Sequence, residues 1–337
     1  MSTATPPITA PVQARRIPSW VPFMLMALLM VGVGAYTQSR SSAFLTEYNL
    51  KSLLLSALPL AFVAIAQANA LLVGGFDVSV GAVMALVVMV GSFILTSSRS
   101  TPAALLATLA LLGIGIGAGL ANATLIRLIR LPSIIATLAT LSVMQGITLT
   151  LRDAPGGEIN AHLITILTKS IGFVPIWFVV VVVLAIAWDV WLFRTPGGLM
   201  TRMVGFDEDA GRRLGMRSTW VNVRAFLISG VMAAVAGFFL ASQVAVGVPD
   251  PGLSSKFALT SIAAAVLGGA SLAGGRVSFV GAVFGAVFLS LVVNILPFLG
   301  WSSAYELVLT GGLTLLALAL YQGGELWSRV RSAWQNV

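Results

Sequence analysis

The sequence predicts an all-α fold in which a polytopic bundle of about ten transmembrane helices accounts for most of the chain. Hydrophobic residues make up 58% of its 337 residues, and the mean hydropathy is +0.99. Charged residues make up only 9%, whereas soluble proteins carry about 25%. Such a chain has too little charge to cover a water-facing surface. Its apolar residues suffice for roughly eight to ten spans of about 20 residues each.

The apolar residues are grouped into ten runs that are separated by polar or glycine-rich segments. The first run directly follows the N-terminal tail and lacks a small-x-small cleavage site, which favours an uncleaved start-anchor helix over a signal peptide. The eighth run is the shortest, so we expect a broken or re-entrant helix there. The ten runs cover residues 21–37, 50–73, 78–95, 103–126, 133–150, 175–188, 221–246, 259–267, 277–296 and 305–320.

The distribution of basic residues predicts the orientation of this bundle. Ten alternating spans that start inside place thirteen Lys and Arg residues on the cytoplasmic side and six outside, in agreement with the positive-inside rule. Both termini then lie in the cytoplasm. We therefore expect a cytoplasmic tail over residues 1–20, a transmembrane domain over residues 21–320 and a second cytoplasmic tail over residues 321–337.

Several function classes are disfavoured by residues that the sequence lacks. It contains no cysteine and a single histidine, His162, so we expect no metal site. It has no G-x-x-x-x-G-K-[ST] motif, so this chain does not bind ATP through a P-loop. No catalytic motif of an enzyme is visible. The excess of basic residues on the cytoplasmic side accounts for the net charge of +8, so we expect contact with membrane lipid rather than with nucleic acid.

The most informative connection is the inner loop over residues 193–222, which contains a segment with the pattern of a short capped helix. Acidic residues open the segment, where they suit the positive end of the helix dipole, and arginines and a glycine close it. Two interpretations fit: a helix that lies on the membrane or the bundle, or a docking element for a soluble partner. The docking residues are then Phe206, Asp207, Glu208, Ala210, Arg212, Arg213 and Leu214.

Two glycine-rich breaks separate neighbouring runs with almost no loop between them. Asp77 follows the first break, and we expect it to cap the N-terminus of the third predicted helix, assisted by Ser79. The alternative for Asp77 is an ionisable group on an ion or substrate pathway at membrane depth. The glycines permit tight backbone turns, and they are Gly74, Gly75, Gly268, Gly269, Gly274 and Gly275.

Amide side chains are sparse within the predicted spans, and two roles are open to each of them. One role is a hydrogen bond between helices, which contributes about 0.6 kcal/mol on average in a membrane. The other is to line a pathway for a polar, uncharged solute, because an amide offers both donors and acceptors without a charge. The pathway candidates are Gln67, Asn69, Asn122, Gln145 and Asn294.

Four segments resemble the permease family of bacterial ABC importers for ribose, xylose and related small sugars, including the autoinducer-type systems. They are GGFDVSVGAVMAL at 74–86, ANATLIRLIRLPSIIATLATLSVMQGITL at 121–149, GFDEDAGRRLGM at 205–216 with ISGVMAAVAGF at 228–238, and LTSIAAAVLGGASLAGGRVSFVGAVFGAVF at 259–288. Members of that family more often carry Gly and Thr where this chain has Gln67 and Asn69. These two residues are therefore our candidates for solute specificity.

The resemblance implies an ABC permease of the vitamin-B12-importer-like, type II-like architecture in the bacterial inner membrane. It implies three kinds of partner: a second copy of this chain or a paralogous permease, a periplasmic or lipid-anchored solute-binding protein, and a cytoplasmic ABC ATPase. ATP and Mg²⁺ then bind to the ATPase, and the helix over residues 207–214 is the coupling helix seated in it. The chain itself is a transport subunit and not an enzyme. Its solute is a monosaccharide or a related polyol.

Two other functions remain open at this point. Permeases for nucleosides or branched-chain amino acids share parts of these motifs. A stand-alone ion-coupled transporter belongs to a different class. It is disfavoured because the predicted spans lack the series of carboxylates and histidines that proton relays use.

Overall fold

The described part of the chain is built almost entirely from α-helices. The computed structural model describes residues 21–97, 101–302, 304–313 and 315. The predicted tails over 1–20 and 321–337 lie outside these residues, as does the end of the tenth apolar run. The helices are α1 (Val21–Arg40), α2 (Glu47–Leu72), α3 (Val80–Ile94), α4 (Thr101–Arg127), α5 (Ser133–Leu151), α6 (Ala161–Leu167), α7 (Ile176–Arg194), α8 (Pro196–Phe206), α9 (Glu208–Arg213), α10 (Ser218–Val244), α11 (Pro251–Leu267) and α12 (Phe279–Ile295).

The predicted all-α class agrees with this structure, apart from one small hairpin. Strands β1 (Ser170–Ile171) and β2 (Val174–Pro175) pair antiparallel, with Ser170 opposite Pro175. The hairpin lies between α6 and α7. A short 3₁₀ helix, Pro297–Leu299, follows α12, and residues 304–313 are again helical.

Six of the described helices are long and apolar enough to cross a membrane. Two further apolar helices, Val80–Ile94 and Pro251–Leu267, are shorter. At 1.5 Å per residue they measure only about 22 and 25 Å, less than the roughly 30 Å hydrocarbon core. The six candidate spans are Glu47–Leu72, Pro102–Arg127, Ser133–Leu151, Ile176–Arg194, Ser218–Val244 and Phe279–Leu299.

The eighth apolar run lies on a longer and more regular helix than expected. We expected a broken or re-entrant segment over residues 259–267, but α11 begins eight residues earlier and continues unbroken to Leu267. Asp250 caps its start, because Asp250 Oδ1 accepts a hydrogen bond from the Gly252 N–H at 2.8 Å. The first two turns of α11 contain Ser, Lys and Gly, so an apolar run underestimates the length of the helix.

The core of the bundle forms around α2 and α10. Within the most apolar part of α2, 83% of the residues are buried, whereas the figure for α7 is 17%. Helix α2 packs against α10, α12, α11 and α3, and α10 packs in turn against α4. Helices α4, α5 and α7 carry many exposed leucine, isoleucine and valine side chains, as expected for surfaces that face lipid or another subunit.

The helices run back and forth between two ends of the bundle, and one end carries α8 and α9. At this end, which we call the α9 end, the Gly275 N–H donates to the Leu72 carbonyl at 2.9 Å, and Arg127 pairs with Glu208. At the opposite end, the start of α2 meets the end of α12. The α9 end therefore collects the inner loop and both glycine-rich breaks.

Candidate functional site

The predicted capped helix in the inner loop is present as α9. Asp207 is its N-cap, and its carboxylate accepts hydrogen bonds from the N–H groups of Asp209 and Ala210 at 3.0 and 2.9 Å. The helix ends at Arg213, Leu214 is its C-cap, and the next residue, Gly215, takes a left-handed conformation with φ of 77°. A helix of this length is unstable by itself in water, so contacts with the rest of the bundle must hold it.

An ion pair attaches α9 to the end of α4. Arg127 donates to both carboxylate oxygens of Glu208, with an Nη1–Oε2 distance of 3.0 Å. Arg212, one turn along α9, donates to Glu208 Oε1 at 2.8 Å. The hydrogen bond from Arg127, opposed in part by burial, lowers the pKa of Glu208 to about 2. Sequence analysis missed this pair because 81 residues separate Arg127 from Glu208.

The apolar side chains of the candidate docking element remain available to a partner. Phe206 is 71% exposed and Leu214 is 65% exposed, one at each end of α9. Arg213, which follows Arg212, forms no ion pair with any carboxylate in the described ranges. The helix thus presents two apolar contacts and a free cation while Glu208 holds its other face to the bundle.

A junction of glycine backbones joins the inner loop to both glycine-rich breaks. A Cβ on Gly205, just before α9, would overlap the Leu72 carbonyl oxygen and would lie 2.8 Å from the Gly275 nitrogen. A Cβ on Gly274 would lie 2.9 Å from the Cα of Gly74 and would overlap the Gly205 carbonyl oxygen. Three segments that are distant in sequence therefore meet at backbone contact, which leaves no room for side chains.

Four of the six glycines in the two breaks adopt the backbone conformation of the predicted tight turns. Gly74, Gly269, Gly274 and Gly275 all have positive φ angles, between 72° and 90°. Two others serve close packing. A Cβ on Gly75 would lie 2.9 Å from the Phe226 ring, and a Cβ on Gly268 would overlap the backbone at the start of α12.

Asp77 does not cap α3 in the way that we expected. The N-cap position is Ser79, whose side chain makes no capping hydrogen bond. Asp77 Oδ1 instead accepts from both the N–H and the Oγ of Ser79, at 3.1 and 2.6 Å, one turn before the helix. Its other oxygen accepts from Ser229 Oγ on α10 at 2.6 Å. The capping prediction is therefore wrong, because the N-cap is Ser79, and the Asp77 carboxylate bonds to Ser79 itself and, across the bundle, to Ser229.

Asn122, one of the pathway candidates, belongs to this buried network. Its amide nitrogen donates to Ser79 Oγ at 2.8 Å, and its carbonyl oxygen accepts from Thr140 Oγ1 at 2.6 Å. Asp77, Ser79 and Asn122 are each at most 1% exposed. The network therefore connects the segment before α3 with α4, α5 and α10, in an interior where unpaired polar groups are costly.

Three other pathway candidates also have hydrogen-bond partners. Asn294 exchanges two amide hydrogen bonds with Asn49, at 3.0 and 3.2 Å, which ties α12 to α2. Gln145 donates to the Pro251 carbonyl at 3.2 Å, and Asn69 donates to the Ile65 carbonyl at 2.9 Å within α2. The bonds of Asn294 and Gln145 join different helices, and the bond of Asn69 is local to α2. A role in solute passage remains a prediction for each residue.

Gln67 differs from the other candidates. Its side chain is fully buried in α2, yet neither its amide nitrogen nor its amide oxygen has a hydrogen-bond partner among the described residues. An unpaired buried amide costs about 1–3 kcal/mol. Of the five pathway residues, Gln67 is therefore the one whose presence the surrounding structure does not explain.

Sequence analysis also missed a helix cap formed by Asp189. This residue lies on α7, and its carboxylate accepts hydrogen bonds from the N–H groups of Phe279 and Val280 at 2.8 and 3.1 Å, and from Ser278 Oγ at 3.0 Å. It thereby holds the N-terminus of α12, directly after the second glycine-rich break. The available signal was a single acidic residue inside an apolar helix.

Comparison with known proteins shows the family to which the chain belongs. Residues 49–318 match the family described as branched-chain amino acid transport system permease components. The chain belongs to this permease family. It is therefore a multi-pass protein of the bacterial inner membrane and a transport subunit rather than an enzyme.

Several curated relatives are similar to the permease over most of its length. It is 32% identical over 320 residues to the Autoinducer 2 import system permease protein LsrC of Salmonella paratyphi B, covering 92% of this chain and 86% of the relative. It is 32% identical over 290 residues to the LsrC of Photorhabdus luminescens, covering 84% and 82%. The LsrC of Shigella flexneri is 31% identical over 291 residues, covering 83% and 80%. No solved structure matches the permease.

Proposed function

We propose that the permease is the membrane subunit of an ATP-binding cassette importer for a small sugar-type solute. The observation that carries this proposal is a capped helix, α9, that is held at one end of the bundle by the Arg127–Glu208 pair and the glycine junction. The similarity to import-system permeases over 320 residues supports it. A partner that moves α9 would act directly on α4 and on both glycine-rich breaks.

In this proposal α9 is the coupling helix and its partner is a cytoplasmic ABC ATPase that binds ATP and Mg²⁺. The exposed side chains of Phe206 and Leu214 enter an apolar groove of the ATPase, and Arg213 lies at the polar rim. Because Glu208 is bonded to Arg127, a force on α9 is transmitted to α4. ATP binding and hydrolysis then favour one bundle conformation over another through different contacts in each state.

The full architecture follows from the same proposal. We infer ten spans with both termini in the cytoplasm and a type II-like arrangement, in which the α9 end is the cytoplasmic end. The exposed apolar faces of α4, α5 and α7 leave surface for a second permease, either another copy or a paralogue. A periplasmic or lipid-anchored solute-binding protein docks at the opposite end.

The solute that we propose is a monosaccharide or related polyol, because the relatives above are named for autoinducer 2 import. The second candidate is a branched-chain amino acid, since the family description names that class. The described spans favour an uncharged solute. Their buried polar groups are amides and hydroxyls. Asp77, the one buried carboxylate among the described residues, lies between α2 and α3 and is already hydrogen-bonded to Ser79 and Ser229.

The test is an affinity purification of the tagged permease in mild detergent from its native cells. We expect the wild type to recover an ATPase subunit and a variant with Asp207→Ala, Arg212→Ala and Arg213→Ala to lose it while remaining monodisperse. ATP-dependent uptake of labelled polyols and of labelled leucine into vesicles then identifies the solute class. Solute flux in the absence of any ATPase would contradict the proposal.

A further inference from the structure

A cavity of about 660 Å³ lies beside α9, where Glu208 and Arg212 meet Arg127 at the end of α4. It opens to the surface and is lined by the first glycine-rich break, the turn between α4 and α5, and the start of α10. Its volume is within the range of small-molecule sites in proteins, about 300–1,000 Å³. Its wall is mainly polar and includes Gly74, Gly75, Ser133, Thr219 and Asn222.

The charges around this cavity are unbalanced in favour of cations. Three arginines line it, Arg127, Arg130 and Arg212, against a single carboxylate, that of Glu208. Glu208 already accepts hydrogen bonds from Arg127 and Arg212. Arg130 pairs with no carboxylate in the ranges that the structure describes. Since Arg212 also lies 3.8 Å from Asp209, Arg130 is the arginine of this lining whose charge is left for a ligand.

The turn between α4 and α5 fixes Arg130 at the rim of the cavity. Its backbone is left-handed, with φ of 63°, which is unusual for a residue with a Cβ. Hydrogen bonds from the Leu131 N–H to the Leu125 carbonyl at 3.1 Å, and from the Ile129 N–H to the Thr124 carbonyl at 3.3 Å, hold the turn. The start of α5, with no side-chain cap of its own, adds a weak positive potential to that of the arginines.

We propose that this cavity binds a phosphate-bearing anion, with Arg130 as its principal ligand. A guanidinium forms paired hydrogen bonds with phosphate oxygens, and the cavity also supplies hydroxyl and amide donors. The phosphate belongs either to the headgroup of an anionic lipid or to a soluble phosphate ester. The bound anion competes with Glu208 for Arg127. This competition weakens the attachment of α9 to α4. Its effect on coupling rests on the proposed function, whereas anion binding does not.

The test measures anion binding by the full-length permease without any ATPase, so it stays informative if the proposed function fails. Equilibrium dialysis with ³²P-labelled inorganic phosphate is performed on the permease in phosphatidylcholine nanodiscs at constant ionic strength. Arg130→Asn removes the charge and tolerates the left-handed backbone, and Arg130→Gly is a second such variant. Arg213→Asn is the matched control, because Arg213 is a nearby cation that does not line the cavity.

We expect one saturable phosphate site per chain in the wild type and in R213N, and at least a tenfold weaker affinity in R130N and R130G. Displacement of phosphate by added phosphatidylglycerol identifies a lipid headgroup as the ligand. Persistence of binding under that condition identifies a soluble ester. Absence of saturable binding to the wild type, or equal affinity in R130N, R130G and R213N, would overturn the proposal.

Discussion

The ion pair between Arg127 and Glu208 leads to a quantitative prediction for Glu208→Gln. The pKa of Glu208 falls from 4.5 to about 2 in the folded protein, and one pKa unit corresponds to about 1.4 kcal/mol. The upper limit for the lost stabilisation is therefore about 3 kcal/mol. Because the Glu208 side chain is 30% exposed, solvent screens part of this interaction, and we expect a loss of about 1–2 kcal/mol at pH 7.

The same prediction has a pH dependence with a defined sign. Since the pKa of Glu208 is lower in the folded state, the stabilisation is complete above pH 4.5 and is lost as pH falls towards 2. The difference between wild type and E208Q at pH 3 is then less than about half of its value at pH 7. Denaturant unfolding in detergent at both pH values, monitored by circular dichroism, measures this difference in the free energy of unfolding.

The matched control for this experiment is Asp209→Asn, on the same helix. It removes the same charge, but the Asp209 side chain is 79% exposed and lies 3.8 Å from Arg212, its one ion-pair partner among the described residues. We expect it to change stability by less than about 0.5 kcal/mol at either pH. Equal effects of the two substitutions, or a Glu208→Gln effect that is the same at pH 3 and pH 7, would show that the Arg127–Glu208 ion pair does not stabilise the folded protein.

Three further substitutions test other parts of the structure. Gly205→Ala places a methyl group against the Leu72 carbonyl oxygen, so we expect the free energy of unfolding to fall by more than about 2 kcal/mol and ATP-driven uptake to be lost. The control is Gly197→Ala on the same helix, where a methyl group would make only ordinary contacts and is tolerated. Asn294→Leu breaks an interhelical amide pair, which lowers stability by about 0.5–2 kcal/mol. A change in competition between solutes in uptake assays would in addition assign Asn294 to the solute pathway. Gln67→Leu removes an unpaired buried amide and raises stability by about 1 kcal/mol in the same unfolding assay. Reduced uptake by this more stable variant assigns Gln67 to the solute pathway. A loss of stability would contradict the conclusion that the Gln67 amide is unpaired.

The features that the sequence predicted well are those encoded by neighbouring residues. Helix α9 follows from a local order of acids, arginines and glycine, and the structure has it between Asp207 and Leu214. The apolar runs locate the main helices because a span must be apolar along its length. The glycine-rich breaks similarly predict turns, since only glycine adopts positive φ at little cost.

The features that the sequence did not predict depend on contacts between distant segments. Ser229, which donates to Asp77, is 152 residues away from it, so the carboxylate was interpreted as a local cap. The junction at Gly205 involves three separate segments, and no single motif reports it. The polar start of α11 hid its true length, because a cap by Asp250 and not apolarity defines that helix end.

Site-specific cross-linking shows whether α9 contacts an ATPase. The chain contains no cysteine, so Arg213→Cys creates a unique thiol on α9, and His162→Cys creates one at the predicted outer end. Each variant is treated with a thiol-to-amine cross-linker in membranes, and the products are identified by mass spectrometry. If α9 contacts the ATPase, position 213 gives a product with a P-loop ATPase and position 162 gives none. No ATPase product at 213, or equal products at both positions, would contradict a contact between α9 and the ATPase.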